Sequence, residues 1–155
     1  YGSGAIELPA GAKRLFLPQR PYLVLGSLRR ALSYPRTAAA PDTEIARILK
    51  LVGLEHFAAR LDDVDDWSRI LSLGEQQRLA FARILLIRPD WIFLDEATSA
   101  LDEPRERTLY ELLHQELPAA SIISVGHRST LFVLHDTELH LQDQTYTYQE
   151  ISHES

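Results

Sequence analysis

Two short apolar runs, each closed by polar side chains, restrict this chain more than any other feature. They are Trp91–Glu96 (WIFLDE) and Ser121–His127 (SIISVGH). Both are short, continuously apolar, and rich in β-branched or aromatic residues, so both predict strands buried in a parallel sheet. The stretch between them, EPRERTLYELLHQEL, predicts a helix with Pro104 near its first position and Leu109, Leu112, Leu113 and Leu117 facing inward. A third strand is predicted at Lys13–Gln19 (KRLFLPQ), stopped by Pro18. Strand and helix thus alternate, which is an α/β architecture.

A mostly helical insert fills Gln19 to Trp91. One helix begins at Asp42, which can cap it; Ile45, Ile48, Leu49 and Val52 recur at helical spacing, and Gly53 suits the position just past its end. A short helix, LEHFAARL, follows. The acidic loop Asp62–Arg69 leads to a further helix from about Gly74 to Ile87, ended by Pro89. Near the C-terminus ELHLQ and TYTYQ alternate, predicting a β-hairpin around Asp143-Gln144, with Tyr146 and Tyr148 as hairpin packing. Thr37–Pro41 (TAAAP) reads as the softest linker.

Composition narrows the partners. The 155 residues carry a net charge of -6 without a Lys/Arg cluster, so nucleic acid is not expected as a partner. No Cys is present, which excludes disulfides and thiolate metal sites. No apolar run reaches the ~18–20 residues of a membrane span. Met is absent and the first residue is Tyr1, so the chain is expected to be the C-terminal part of a longer product.

In open α/β sheets ligands sit beyond the carboxyl ends of the strands. Gln19, the pair Asp95-Glu96, and His127 fall there. Adjacent acids at such an end suit Mg-nucleotide chemistry: one carboxylate holds the cation and the other acts as base toward water. His127 can donate to a phosphate oxygen, and Gln19 can position water or metal. The stretch Leu71–Arg83 (LSLGEQQRLAFAR) adds an anion site, with the Ser72 hydroxyl, the small Gly74 and a helix start behind them. Each feature alone is weak, and each has an ordinary structural explanation. Their order and spacing together are what carry weight.

That ordered series, FLPQ, LSLGEQQRLAFARILL, WIFLDEATSALD and SVGHRS, closely resembles the ATP-binding domain of ABC transporters. The resemblance implies a P-loop NTPase core of ABC type, N-terminally truncated, with a helical subdomain over about 22–88 and core remainders at 1–21 and 89–155. It implies that Gln19 is the Q-loop residue, Leu71 to Glu75 the signature, Asp95 the end of the Walker B strand and Glu96 the catalytic glutamate. Ser99 to Asp102 would form the D-loop, and His127 would be the switch histidine. Asp95 and Gln19 would hold Mg²⁺, while Gln19, Ser72, Gly74, Glu75, Asp95 and Asp102 would bind ATP. Partners implied are a second ATP-binding domain, whose ATP the signature residues would close over, and an upstream membrane domain. Location would be the cytoplasmic face of the bacterial inner membrane. WSRILSLGEQQRLAFAR, with the segment before it, is most similar to bacterial relatives of the fatty-acyl (D-type) half-transporters.

Leu73 stands where most members have Gly, and Glu75 where most have Gln. No G-x-x-x-x-G-K-[ST] occurs, and YGSG (Tyr1–Gly4) is not one. The resemblance would place that missing P-loop just upstream, and its strand inside the sheet beside the Walker B strand. Two alternatives remain: a soluble ABC-type ATPase without transport, and, for this chain alone, a catalytically silent docking module. The cluster Asp62, Asp63, Asp65 and Asp66 lacks the Gly and terminal Glu of an EF-hand and reads as a solvated loop. Arg29-Arg30 reads as a solvated helix face.

Overall fold

A computed structural model describes residues 7, 9–36, 40–142 and 145–151. In chain order the elements are β1 (Arg14–Leu17), β2 (Gly26–Ser27), α1 (Leu28–Ser33) and α2 (Asp42–Leu51), then β3 (Val64–Asp65), α3 (Trp67–Ile70), α4 (Leu73–Ile87) and β4 (Trp91–Asp95). They continue with α5 (Glu103–Glu116), β5 (Ser121–Val125), β6 (Thr137–Gln142) and β7 (Thr145–Glu150). Turns of 3₁₀ helix occupy Glu55–Arg60, where a short helix was expected, and Ser129–Leu134.

The central sheet is parallel, in the order β1-β4-β5. Leu17 lies opposite Leu94, and Asp95 opposite Val125, so the three carboxyl ends are level. The α/β reading holds. Leu17, Ile92 and Leu94 enter one core with Phe81 and Ile84 of α4 and Leu109 and Leu113 of α5.

Local chemistry explains the helix limits. Ser72 caps α4 in a reciprocal box with Glu75, and the helix stops at Arg88, in the left-handed region at φ 51, ahead of Pro89. Asp102 caps α5 by accepting from the Arg105 amide, with Pro104 in the first turn. Gly53 follows the end of α2 at φ 69, a conformation that favours glycine. β6 and β7 form the expected hairpin, with Tyr146 opposite Leu141 and Tyr148 opposite Leu139. The Asp143-Gln144 turn lies outside the described residues, as do Tyr1–Gly4 and most of Thr37–Pro41.

Four expectations need correction. The two apolar runs are covered on one face only: Ile92 and Leu94 are buried, but Ile123 and Val125 are 45% and 58% exposed. The strands' other face turns away from the helical core, which a continuous apolar run does not announce. Both sides of β4 are already paired, by β1 and β5. The place beside β4 expected for the strand of the missing P-loop is therefore already taken. The N-cap of α2 is Pro41, without a side-chain cap; Asp42 is the first helical residue, and its carboxylate takes the Arg29 guanidinium instead. Arg29 is no solvated face, since it also forks onto both oxygens of Asp62 at 2.7 and 2.9 Å. The acidic loop is solvated as read, with Asp62, Asp63 and Asp65 exposed, and it carries local ion pairs: Asp63 accepts from Arg60 at 2.8 Å, and Asp66 faces Arg69 at 3.1 Å.

Candidate active site

β4 ends at Asp95, and Glu96 turns sharply out of it. Its N–H still donates to the Val125 carbonyl, at 2.9 Å, so the ladder runs one residue past the strand. Its φ is 47, in the left-handed region that non-glycine residues enter at a cost of roughly 1–3 kcal/mol. Ser99 N–H then closes onto the Glu96 carbonyl at 3.1 Å. The Glu96 side chain is thereby aimed at the loops that leave the neighbouring strands.

Level strand ends do the rest. Gln19 comes two residues after β1, and His127 two residues after β5. Gln19 Nε2 donates to Glu96 Oε2 at 2.9 Å, and His127 Nε2 lies 3.0 Å from Glu96 Oε1. Of the four residues picked from sequence at the strand ends, three, Gln19, Glu96 and His127, therefore meet at one carboxylate. Glu96 is 31% exposed and His127 85%, so water reaches the group. Asp95, half-buried, ends the same strand.

The signature residues form a second group. Ser72 N–H and Oγ both donate to Glu75 Oε2, at 2.9 and 2.7 Å, and the Glu75 N–H returns to Ser72 Oγ at 3.3 Å. Burial pulls the Glu75 carboxyl upward, but the two Ser72 hydrogen bonds and the charge of Arg78 outweigh it and hold it below the usual carboxylate range. The helix start is thus served by the chain's own carboxylate. A side chain at Gly74 would meet Leu101 Cδ2 at 3.3 Å and the Ala100 carbonyl at 3.4 Å, so glycine here lets α4 lie against the 99–102 loop. Asp102 is occupied in capping α5.

Three participants were not singled out from sequence. Gln77, fully buried, joins α4 to the loops at Gln19 and Ser99. Arg128, the neighbour of His127, donates to the carbonyls of Leu101 and Ser99, at 2.8 and 3.1 Å. Glu106, 1% exposed, accepts from Thr98 and Thr130 and faces Arg128 at 3.7 Å. A charged residue among the inward leucines of α5 was the available signal for Glu106; nothing comparable marks Gln77.

The oxygen donors present suit a hard cation: the Asp95 carboxylate and the Gln19 side-chain carbonyl are the ligand types Mg²⁺ takes alongside water. Among the described residues no group of three or more His, Asp or Glu is placed to hold a metal ion.

A family model described as ABC transporter matches residues 12–99. This chain belongs to the ABC transporter family. It is 52% identical over 145 residues to an "Uncharacterized ABC transporter ATP-binding protein" of Haemophilus influenzae, covering 93% of this chain and 24% of that protein. It is 45% identical to "ABC transporter D family member 2, chloroplastic" of Arabidopsis thaliana, covering 82% of this chain and 22% of the relative. The D-type likeness read from the signature region is therefore matched among the relatives. Among solved structures, a bacterial Atm1-family ABC exporter with ATP bound superposes with a TM-score of 0.73 at 29% identity, over 85% of this chain and 24% of that one. The chain thus spans about a quarter of the length of these ABC transporter proteins. No helix among its described residues is long and apolar enough to cross a membrane.

Proposed function

We propose that this chain is the greater part of the ATP-hydrolysing domain of an ABC transporter. It would work as one of a pair of such domains and be coupled to a transmembrane domain at the cytoplasmic face of a bacterial inner membrane. The observation that carries this reading is the convergence of Gln19 and His127 on the Glu96 carboxylate. A carboxylate held by two donors at the carboxyl ends of a parallel sheet can accept a proton from water beside a phosphate. Glu96 is the base, His127 donates toward the transferred phosphoryl group, and Gln19 orients the attacking water. Asp95, with Gln19, would hold Mg²⁺, which supplies neutralisation of phosphate charge. Ser72, Gly74 and Glu75 would serve the nucleotide of the opposing domain, and Asp102 would shape the loop between the two sites.

The sequence contains no G-x-x-x-x-G-K-[ST], so the cradle for the β- and γ-phosphates is not among these residues. The isolated chain is expected to bind Mg-ATP weakly, and micromolar binding by calorimetry would refute that. In the whole protein, Glu96→Gln should abolish Mg-ATP hydrolysis and leave ATP binding intact. Full turnover in that variant would overturn the role given to Glu96.

A further inference from the structure

One side chain outside the reacting group touches both loops that supply it. Gln77 lies in the second turn of α4 and is 0% exposed. Its Nε2 donates to the backbone carbonyl of Gln19 at 2.9 Å and to Ser99 Oγ at 3.2 Å. Its Oε1 accepts from the Ala100 N–H at 3.0 Å. Both amide hydrogens and the carbonyl are engaged, so the amide is fully used. Three residues earlier on the same face, Gly74 lies against Ala100 and Leu101. The first two turns of α4, the loop carrying Gln19 and the loop leaving Glu96 are thereby joined at one buried point.

We propose that Gln77 is a positioning residue for hydrolysis: by holding the Gln19 backbone and the 99–101 loop against α4, it sets whether the Gln19 side chain reaches Glu96. This rests on the ATPase reading above. Gln77 touches neither Glu96 nor the space beyond it. Its influence runs through the Gln19 carbonyl, two residues past a strand end, where a small shift of backbone moves the amide off the Glu96 oxygen. A buried Gln kept only for core filling would be replaceable by an apolar residue of like shape. A positioning Gln would not.

The test is steady-state Mg-ATP hydrolysis by the whole protein, wild type against Gln77→Met and Gln77→Glu, with a thermal melt of each. Met keeps the volume and loses all three hydrogen bonds. It is expected to lower kcat by up to about 100-fold, the scale of a misplacement near 1 Å, with KM for ATP little changed. Glu separates positioning from mere packing. When protonated its carboxyl can donate to the Gln19 carbonyl and accept from Ala100; when ionised it sets a buried charge against that carbonyl. Its kcat relative to wild type should therefore rise as pH falls, at temperatures where its melt shows it folded. A Met variant with wild-type kcat, or a Glu variant that tracks wild type at every pH, overturns the positioning role alone. Absence of turnover in the wild-type protein removes the ATPase reading and this role with it.

Discussion

Glu96 holds its side chain in place through an unfavourable backbone angle. At φ 47 it sits where glycine is at ease and glutamate is not. Glu96→Gly should therefore raise stability by about 1 kcal/mol in denaturant melts while eliminating turnover. A loss of stability would mean that the Gln19 and His127 contacts outweigh the strain. His127 is less committed, being largely exposed; His127→Ala should lower kcat by about 10²–10³-fold, the range for one lost phosphate-directed donor, and leave the melt unchanged. Glu75 makes a prediction in pH. Its carboxyl is held below its ordinary value in the fold, so its contribution is complete above the unfolded value and fades as pH falls through the lower folded one. Glu75→Gln should flatten that part of the acid limb of stability, read from melts across acidic pH.

At the scale of elements, α4 does more than cover the sheet. From its middle, Arg83 donates to the Ala31 carbonyl at 2.8 and 3.1 Å and to the Tyr22 carbonyl at 3.2 Å. Burial pulls its guanidinium down to about 10, so it stays charged at neutral pH. Arg83→Met would leave the Ala31 carbonyl without a donor and should cost about 1–3 kcal/mol in a denaturant melt. The elements themselves were legible because their signals are local: the periodicity of α2, the Pro104 start of α5, the apolar runs of β4 and β5. The meeting of Gln19, Glu96 and His127 was legible for a related reason, since the ends of parallel strands gather at one edge whatever the side chains are. What could not be read depends on tertiary context. The exposure of Ile123 and Val125 follows from which sheet face the helices cover. The role of Gln77 follows from how two distant loops pass α4, and the neighbours of β4 from strand order, which no single strand encodes.

At the scale of the molecule, the uncovered sheet face matters. Phe16, Ile123 and Val125 are 60%, 45% and 58% exposed, and Phe16 and Ile123 flank Phe93 in register. An apolar strip of this kind favours association. The isolated chain should self-associate in analytical ultracentrifugation, and Phe16→Ser combined with Val125→Thr should shift it toward monomer. Sedimentation unchanged by the pair would place the contact elsewhere. The helical half is tied to α5 by Arg47, which forks onto Glu116 at 2.9 and 3.1 Å, and by Arg88, which donates to the Glu116 carbonyl at 2.8 Å.

The start of α4 already has a tenant. The Glu75 carboxylate holds the Ser72 hydroxyl and N–H, the very groups a phosphate would seek. On the proposed reading, a nucleotide arriving there would not fill a bare positive end; it would have to displace a resident anion. The displaced carboxylate would stay tethered to the chain in the first turn of the helix, so its repulsion would oppose the incoming phosphate. A phosphate would therefore bind this helix start only as the Glu75 side chain gives up its bonds to Ser72.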